Sequence, residues 1–352
     1  LGVMGAVVSA SHNPYGDNGI KLFAPGGTKL TDDVEARIES VLKSLGDPTG
    51  SAGRLGTHDD AGPYSAHVLA FLDGRDLAGI KVVLDAANGA GCSIAPDVLR
   101  AAGAEVVVIA ADPDGRNIND GCGATHPELV AAAVVQHGAD LGVALDGDAD
   151  RLIAVDGTGT VVDGDHIIAI CAADLRSRGQ LANDTVVVTV MTNLGFRLAM
   201  DVAGINVVET GVGDRYVLEA LGAGGHSLGG EQSGHVIFAD HATTGDGLLT
   251  AVALIDIVKR SERTLADIAS DAMTSLPQSL VNVRVGERVP DVAERLADEI
   301  AVVEADLGAT GRVLVRPSGT EPLIRVMVEA ATADQAQAAA DQLAEVARTK
   351  FA

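Results

Sequence analysis

The stretch LGVALDGDADR, residues 141–151, joins an apolar run typical of a buried strand to three acids that are separated by single residues. Two similar apolar runs precede it, IKVVL at 80–84 and EVVVIA at 105–110. The intervening segments, at about 94–102 and 127–137, have the apolar spacing of helices. This alternation predicts an α/β fold with mainly parallel strand pairing.

The same alternation continues on both sides of this region. Towards the N-terminus, we predict a strand over 3–9, a helix over 31–45 with Thr31 as its N-cap, and a helix over 64–72. Towards the C-terminus, TVVVTV at 185–190 is typical of a further buried strand.

The last part of the chain has a different element order. We predict three strands there, over 279–285, 311–316 and 322–330. We also predict two helices, over 291–306 and 333–351, the second with Thr332 as its N-cap. This order indicates a small open-faced α+β sandwich. The chain therefore divides into four predicted domains, 1–74, 75–158, 159–273 and 274–352.

Composition narrows the classes of function. The 352 residues carry a formal net charge of −24 and are 47% hydrophobic, so the chain is globular and strongly acidic. Such a surface repels nucleic-acid phosphates and anionic lipids, and no apolar run is long enough to span a bilayer. Three widely spaced cysteines, without a CxxC pair, indicate a reducing compartment, and we expect a cytoplasmic protein.

The acids after the 141–145 strand are the first candidate site. In an extended backbone the carboxylates of Asp146, Asp148 and Asp150 converge on one side, and their repulsion favours a hard cation such as Mg²⁺. An EF-hand is excluded, because its spacing requires other residues at Arg151 and Gly157. A solvated acidic turn is the alternative.

A second candidate site follows the first strand. Ser11 and His12, with Lys21 nearby, could supply a nucleophile, a base and a cation, although the same residues also suit an ordinary turn.

Four further polar, glycine-rich stretches interrupt the apolar pattern. GGEQSGH at 229–235 suits sugar hydroxyls, and RPSGTEP at 316–322 with Arg325 suits a phosphate; either could instead be a plain turn. TGVGDR at 210–215 either faces a ligand or caps a helix. NGAGCS at 88–93 resembles a dinucleotide fingerprint only in part, so we reject NAD binding.

These stretches are distributed over all four predicted domains, which indicates a cleft shared around a phosphosugar. In so acidic a chain a dianionic substrate requires local positive charge. Five basic residues in these stretches could supply it: Lys21, Arg151, Arg215, Arg316 and Arg325.

In combination, the motifs resemble the α-D-phosphohexomutase superfamily. They occur in the order SASHNP with DNGIK, DGDADR, GGEQSGH and RPSGTEP, and the resemblance covers the whole chain. Gln232, CGATHPE at 122–128 and GDRYV at 213–217 are most similar to the glucosamine phosphate branch. The resemblance implies three α/β mixed-sheet domains, the first of them truncated, and a C-terminal α+β domain around a shared cleft.

The resemblance also implies a reaction. Glucosamine 6-phosphate and glucosamine 1-phosphate would be interconverted through a phosphoserine and a 1,6-bisphosphate, which feeds UDP-N-acetylglucosamine and cell-wall precursor synthesis. The cofactors would be one Mg²⁺ and a hexose 1,6-bisphosphate, and the partner a small phosphosugar, with a homodimer as a further option.

Specific positions follow from the matching motifs. The implied catalytic residues are Ser11, His12, Lys21 and Arg151, and the implied metal ligands are Ser11, Asp146, Asp148 and Asp150. The implied sugar-binding residues are Glu231, Ser233 and His235, and the implied phosphate-binding residues are Arg316, Ser318, Gly319, Thr320 and Arg325.

One departure from the superfamily pattern stands out. Its members carry a GTDGxRG-like segment before the serine loop, which this chain lacks, so we expect a partial first domain. The alternatives are a phosphomannomutase/phosphoglucomutase, an inactive truncated sugar-phosphate-binding fragment, and a haloacid-dehalogenase-type phosphatase using Asp146 and Asp148. Asp150 stands where that phosphatase motif has Thr or Val.

Overall fold

A computed structural model describes residues 3–46, 50, 56, 61–318 and 321–351. The chain forms two units, each compact in itself. The first comprises Leu1–Met191 and Gly204–Ala272, and the second Thr192–Ala203 and Met273–Ala352. Among the described residues, no helix combines the length and the apolar character needed to cross a bilayer.

The first unit begins with a two-stranded antiparallel sheet, β1 (Gly5–Ser9) and β2 (Gly19–Phe23). Two helices follow, α1 (Asp32–Ser44) and α2 (Gly62–Ala70). The predicted strand and both predicted helices of this region are therefore present. Thr31 does precede α1, but its side chain makes no capping hydrogen bond.

A five-stranded sheet in the order β4-β3-β5-β6-β7 comes next. Its elements are β3 (Lys81–Asp85), α3 (Ala95–Ala101), β4 (Glu105–Ile109), α4 (Pro127–His137), β5 (Leu141–Leu145), β6 (Leu152–Asp156) and β7 (Val161–Val162). The three predicted strands pair in parallel, whereas β6 and β7 are antiparallel additions that the sequence analysis missed. The expectation of mainly parallel pairing is corrected to a mixed sheet, because the loop from β5 to β6 is too short for a crossover connection.

The third sheet of the first unit has four strands in the order β11-β10-β8-β9. The elements here are α5 (Gly164–Ser177), β8 (Thr185–Thr189), β9 (Asn206–Thr210), α7 (Asp214–Gly224), β10 (Leu228–Gly230), β11 (Val236–Phe238), α8 (Gly247–Ser261) and α9 (Leu265–Ala272). Helix α8 is buried along most of its length, as its run of apolar residues requires. The Asp246 carboxylate caps it by accepting the Leu249 N–H at 2.9 Å.

The second unit contains an antiparallel sheet in the order β12-β14-β13. Its elements are α6 (Leu194–Ala203), β12 (Gln278–Arg284), α10 (Val292–Arg295), α11 (Ala297–Leu307), β13 (Arg312–Pro317), β14 (Leu323–Glu329) and α12 (Ala333–Phe351). The predicted element order is confirmed, although the first helix is divided at Leu296. Thr332 caps α12 as predicted, its Oγ1 accepting the Gln335 N–H at 3.3 Å.

The four candidate sites share one topological feature. Each of their motifs, SASHNP, DGDADR, GGEQSGH and RPSGTEP, lies where two antiparallel strands form a hairpin. The strand pairs are β1 and β2, β5 and β6, β10 and β11, and β13 and β14. A hairpin loop is short and fixed at both ends, so it holds polar side chains in a defined geometry. By contrast, the predicted domain boundary at 158 falls in the turn between β6 and β7.

Candidate active site

Ser11 lies in the hairpin loop after β1, in a backbone conformation that is unusual for serine. Its φ is +51°, in the left-handed region that costs an L-residue about 1–2 kcal/mol. The Ser11 N–H donates to Ser9 Oγ at 2.8 Å, and Ser11 Oγ lies 3.3 Å from His12 Nδ1. A strained residue that carries a hydroxyl beside an imidazole is characteristic of a functional site.

The three acids of the hairpin loop between β5 and β6 form one cluster. A carboxylate oxygen from each of Asp146, Asp148 and Asp150 lies within 4.8 Å of the others. One oxygen of each has no hydrogen-bond partner among the described residues: Asp146 Oδ2, Asp148 Oδ1 and Asp150 Oδ1. Buried acceptors without donors are costly, whereas a hard divalent cation takes such oxygens as ligands. The donor set therefore fits Mg²⁺.

The charges of this cluster are unequally distributed. Burial, together with Asp150 and Asp148, raises the pKa of Asp146 to about 8. Burial also disfavours ionisation of Asp150, but His235, Lys21 and Arg151 outweigh it and hold the pKa of Asp150 well below its usual range. One acid of the cluster is therefore protonated at neutral pH when no cation is bound.

Metal binding should displace that proton. With a pKa of about 8, Asp146 is mostly protonated at about pH 7, and a cation requires the carboxylate. We expect Mg²⁺ binding to release nearly one proton at about pH 7 and almost none at about pH 10. Titration calorimetry in buffers of different ionisation enthalpy measures this number, and a release of zero at both pH values would contradict the assignment.

Lys21 of β2 and Ser9 of β1 both contact Asp148. Lys21 Nζ lies 2.6 Å from Asp148 Oδ2 and 3.5 Å from Asp150 Oδ2, and the Ser9 hydroxyl donates to Asp148 Oδ2 at 2.7 Å. Burial opposes the charge of Lys21, but the two carboxylates raise its pKa above the ordinary value. One oxygen of Asp148 is thus fully occupied, which leaves the other oriented for a ligand.

Arg151 lies at the end of the acidic loop. Its backbone N–H donates to Asp146 Oδ1 at 3.1 Å, and its guanidinium Nε lies 3.8 Å from Asp150 Oδ1. Four of the residues with implied roles, Ser11, His12, Lys21 and Arg151, therefore lie with the acids in the first unit.

His235, predicted to bind the sugar, lies in a buried environment between two carboxylates. Its side chain is 3% exposed, and its ring nitrogens lie 3.6 Å from Asp150 Oδ1 and from Asp214 Oδ2. Nε2 accepts the Gly245 N–H at 3.1 Å, so Nδ1 carries the proton of the neutral ring and faces Asp150. The ring therefore packs against the acidic loop, and the sugar contact expected of His235 stays a prediction.

The remaining sugar-loop residues are more accessible. Glu231 Oε1 accepts the Gly213 N–H at 3.1 Å, and Ser233 is exposed. Gln232 Nε2 donates to Asp163 Oδ2 at 3.2 Å. Glu231 therefore joins this loop to the glycine-rich turn before α7.

The first turn of α7 carries two charges whose role the sequence left open. Asp214 pairs with Lys29, and Arg215 pairs with Glu35 at 2.7 Å. Both charges therefore have protein partners within the first unit.

The second unit places two arginines opposite each other. Arg316 and Arg325 are directly paired in the register of β13 and β14, and like charges in such a pair repel. Burial and the Arg325 charge lower the pKa of Arg316, and Arg325 Nε has no hydrogen-bond partner among the described residues. An anion would satisfy both guanidinium groups.

The loop between these two arginines carries the other residues of the predicted phosphate site. Ser318 is buried, and its Oγ accepts the Glu321 N–H at 3.4 Å. Gly319 and Thr320 lie outside the residues that the structure describes.

Two residues of the first site were missed by the sequence analysis. Ser9 stands out only by its polarity in an apolar strand. Asn119, whose side chain donates to the Ser11 carbonyl oxygen at 2.7 Å, is distant in sequence and has no local signal.

Models of the phosphoglucomutase/phosphomannomutase family match along the chain. The α/β/α domains I, II and III match residues 2–48, 63–159 and 163–276, and the C-terminal domain matches 280–346.

Relatives and solved structures agree with these matches. Phosphoglucosamine mutases of Streptomyces avermitilis and Frankia casuarinae are 54% and 57% identical, over 98% and 99% of this chain and 78% and 77% of theirs. Aspergillus fumigatus N-acetylphosphoglucosamine mutase, solved with GlcNAc-6P and magnesium, has a TM-score of 0.78 at 21% identity, covering 99% of this chain and 89% of that one. A variant of that enzyme in complex with glucose 1,6-bisphosphate has a TM-score of 0.73 at 21% identity, covering 99% and 88%.

The fold is therefore that of the phosphohexomutases, and the sequence identity to the curated relatives is far above what the fold alone requires. The chain belongs to the phosphoglucosamine mutase family of phosphohexomutase isomerases.

Proposed function

We propose that the chain interconverts glucosamine 6-phosphate and glucosamine 1-phosphate through a phosphoserine at Ser11 and a 1,6-bisphosphate intermediate. The observation that carries the proposal is the link that Ser9 makes between Ser11, at φ +51°, and the acidic cluster: Ser9 Oγ accepts the Ser11 N–H at 2.8 Å and donates to Asp148 Oδ2 at 2.7 Å. The same hairpin supplies His12, from its loop, and Lys21, from strand β2.

Ser11 and His12 have distinct roles in the proposed phosphoryl transfer. Transfer from the phosphoserine breaks the bond between phosphorus and Ser11 Oγ, which takes up a proton, and forms a bond from phosphorus to a sugar hydroxyl oxygen, which gives up its proton. On the return transfer Ser11 Oγ loses its proton. Burial and Arg151 lower the pKa of His12, so at neutral pH its ring is neutral, and His12 Nδ1, at 3.3 Å, can accept that proton.

Charge neutralisation is the other requirement of phosphoryl transfer. Lys21 and Arg151 supply fixed positive charge beside Ser11. Asp146, Asp148 and Asp150 would hold Mg²⁺ together with a phosphoryl oxygen on Ser11. When bound, Mg²⁺ stabilises the negative charge on the phosphoryl oxygens.

The sugar is proposed to be recognised by Glu231 and Ser233, with Gln232 bearing on the choice of hexose. Gln232 Nε2 is directed to Asp163 Oδ2, which leaves its carbonyl oxygen as an acceptor. An acceptor suits the amino group of glucosamine, which in its protonated form can only donate, whereas the hydroxyl of glucose or mannose at that position both donates and accepts.

The phosphate that is not transferred is assigned to Arg316, Arg325 and Ser318. We expect Arg325→Ala to raise the KM for the sugar phosphate by about 10- to 100-fold, because it removes a charge-assisted hydrogen bond. Steady-state kinetics measures the change. Arg348→Ala is the matched control, since Arg348 is exposed on α12 and bonds Glu345. An unchanged KM in Arg325→Ala would exclude the assigned role.

Phosphorylation of Ser11 gives the direct test of the proposal. After incubation with hexose 1,6-bisphosphate, the intact mass of the chain should increase by one phosphoryl group, and peptide mapping should place the group on Ser11. A phosphoryl group elsewhere, or no increase in mass, would refute the proposed mechanism.

A further inference from the structure

We infer that Asn119 is a positioning residue that holds the Ser11 loop in its left-handed conformation. Asn119 is 7% exposed and lies between β4 and α4, more than a hundred residues from Ser11 in sequence. Its Nδ2 donates to the Ser11 carbonyl oxygen at 2.7 Å and to the Asn13 carbonyl oxygen at 2.9 Å. One amide group thus bonds the backbone on both sides of His12. The inference rests on the proposed role of Ser11 as the phosphorylated residue.

The orientation of the Asn119 amide is fixed by these two bonds. Reversing the amide would place an oxygen against two carbonyl oxygens, which cannot donate. In the observed orientation Asn119 Oδ1 is buried and has no hydrogen-bond partner among the described residues. A buried acceptor without a partner destabilises the folded state. The amide keeps this orientation because both N–H groups of Asn119 Nδ2 then donate to the serine loop.

Asn119 is itself firmly placed. Its φ is +57°, a conformation that asparagine adopts more readily than most residues. Its backbone N–H donates to the Ala87 carbonyl oxygen at 3.0 Å, just beyond the end of β3. Asn119 is therefore held next to the carboxyl end of β3, and the acidic loop begins at the carboxyl end of the neighbouring strand β5.

Gly147 of the acidic loop shows how closely these parts pack. A Cβ atom at Gly147 would lie 2.4 Å from the Ser11 carbonyl oxygen and 2.8 Å from Asn119 Nδ2. The Ser11 carbonyl group is thus enclosed by Gly147 and Asn119. A left-handed φ at serine is disfavoured by itself and persists because such contacts hold it.

Loss of the Asn119 bonds should let the serine loop relax and displace Ser11 Oγ from the carboxylates. A displacement of about 1 Å can reduce a transfer rate by about 100-fold while leaving substrate binding intact. The expected effect of substitution is therefore on kcat rather than on KM.

The test compares Asn119→Asp with Asn117→Asp. The first substitution keeps the shape of the side chain but replaces the donors with acceptors that repel both carbonyl groups. Asn117 is the matched control, because it undergoes the same change two residues away and its side chain bonds Asp112 and Asp114 within its own loop. Asn119→Ala, which removes the donors without adding charge, is the second variant in case Asn119→Asp fails to fold.

We expect kcat to fall by about 10- to 100-fold in the Asn119 variants with KM within about twofold, and both to stay within about twofold in Asn117→Asp. Hydrogen exchange measured by mass spectrometry supplies a readout independent of activity. The amides of Ser11 and Asn13 are hydrogen-bonded, and peptides containing them should exchange at least about tenfold faster in the Asn119 variants.

Two results would overturn the inference: unchanged exchange of the serine loop, or unchanged kcat in a folded Asn119 variant. If the unaltered chain lacked mutase activity while the Asn119 variants still exchanged faster, the proposed function would fail and the structural role of Asn119 would stand.

Discussion

Replacing Ser11 by alanine is expected to reduce mutase turnover by at least about 10⁴-fold, because no phosphoryl acceptor remains on the chain. Folding should be unaffected, since the side chain of Ser11 has one hydrogen bond among the described residues, to His12 Nδ1 at 3.3 Å, whereas the backbone of the loop is held by Ser9 and Asn119. Mutase kinetics and a thermal melt of the same sample measure the two quantities.

Ser44→Ala is the matched control for this variant. Ser44 is exposed at the end of α1, and its hydroxyl bonds the Val41 carbonyl oxygen of the same helix, so turnover should be unchanged. A phosphatase that used an aspartate nucleophile would also keep its activity in Ser11→Ala. Substantial turnover of Ser11→Ala would therefore contradict the phosphoserine mechanism.

Asp148→Asn is expected to have the second largest effect. The substitution removes one of three carboxylates that would hold Mg²⁺ and places an amide where Lys21 Nζ and the Ser9 hydroxyl, at 2.6 and 2.7 Å, both require an acceptor. Loss of a charged ligand should weaken Mg²⁺ binding by about 100-fold and lower kcat by about 10³-fold. Titration calorimetry with Mg²⁺ alone measures the first effect independently of activity.

Asp97→Asn provides the matched control for Asp148→Asn. Asp97 is an acid of the same unit whose side chain is 82% exposed and pairs with Arg100 on α3. It loses the same charge, so a general effect of charge would appear in both variants. Equal Mg²⁺ affinity in Asp148→Asn and Asp97→Asn would exclude Asp148 as a ligand.

The local patterns predicted most of the regular elements. The apolar strands at 80–84, 105–110 and 141–145 and the closing helix at 333–351 were correct to within about a residue, because burial on both faces or on one helix face leaves a periodic signal. Six strands were missed: β2, β6, β7, β9, β10 and β11. Four of them, β2, β6, β7 and β11, pair antiparallel with the strand before them. Each carries the return of a hairpin, and its place in the sheet is set by pairing with a strand whose register the sequence does not display.

For the candidate site, too, the sequence predicted the residues with a local signal and missed the contacts between distant segments. The motifs identified Ser11, Lys21 and the acidic loop, because the polar residues that phosphoryl transfer needs are grouped there within short stretches of sequence. The burial of His235 against Asp150 and the contact of Asn119 with the serine loop depend on how separate hairpins meet in the folded unit. No periodicity or local composition reports such contacts.

The most direct test of the account is phosphorus NMR of the chain with Mg²⁺, a trace of hexose 1,6-bisphosphate and glucosamine 6-phosphate. Parallel samples should contain glucose 6-phosphate and mannose 6-phosphate in place of the amino sugar. The account predicts that a sugar 1-phosphate signal appears, most rapidly from glucosamine 6-phosphate, without accumulation of inorganic phosphate. Release of inorganic phosphate, or the absence of a 1-phosphate signal from all three sugars, would contradict it.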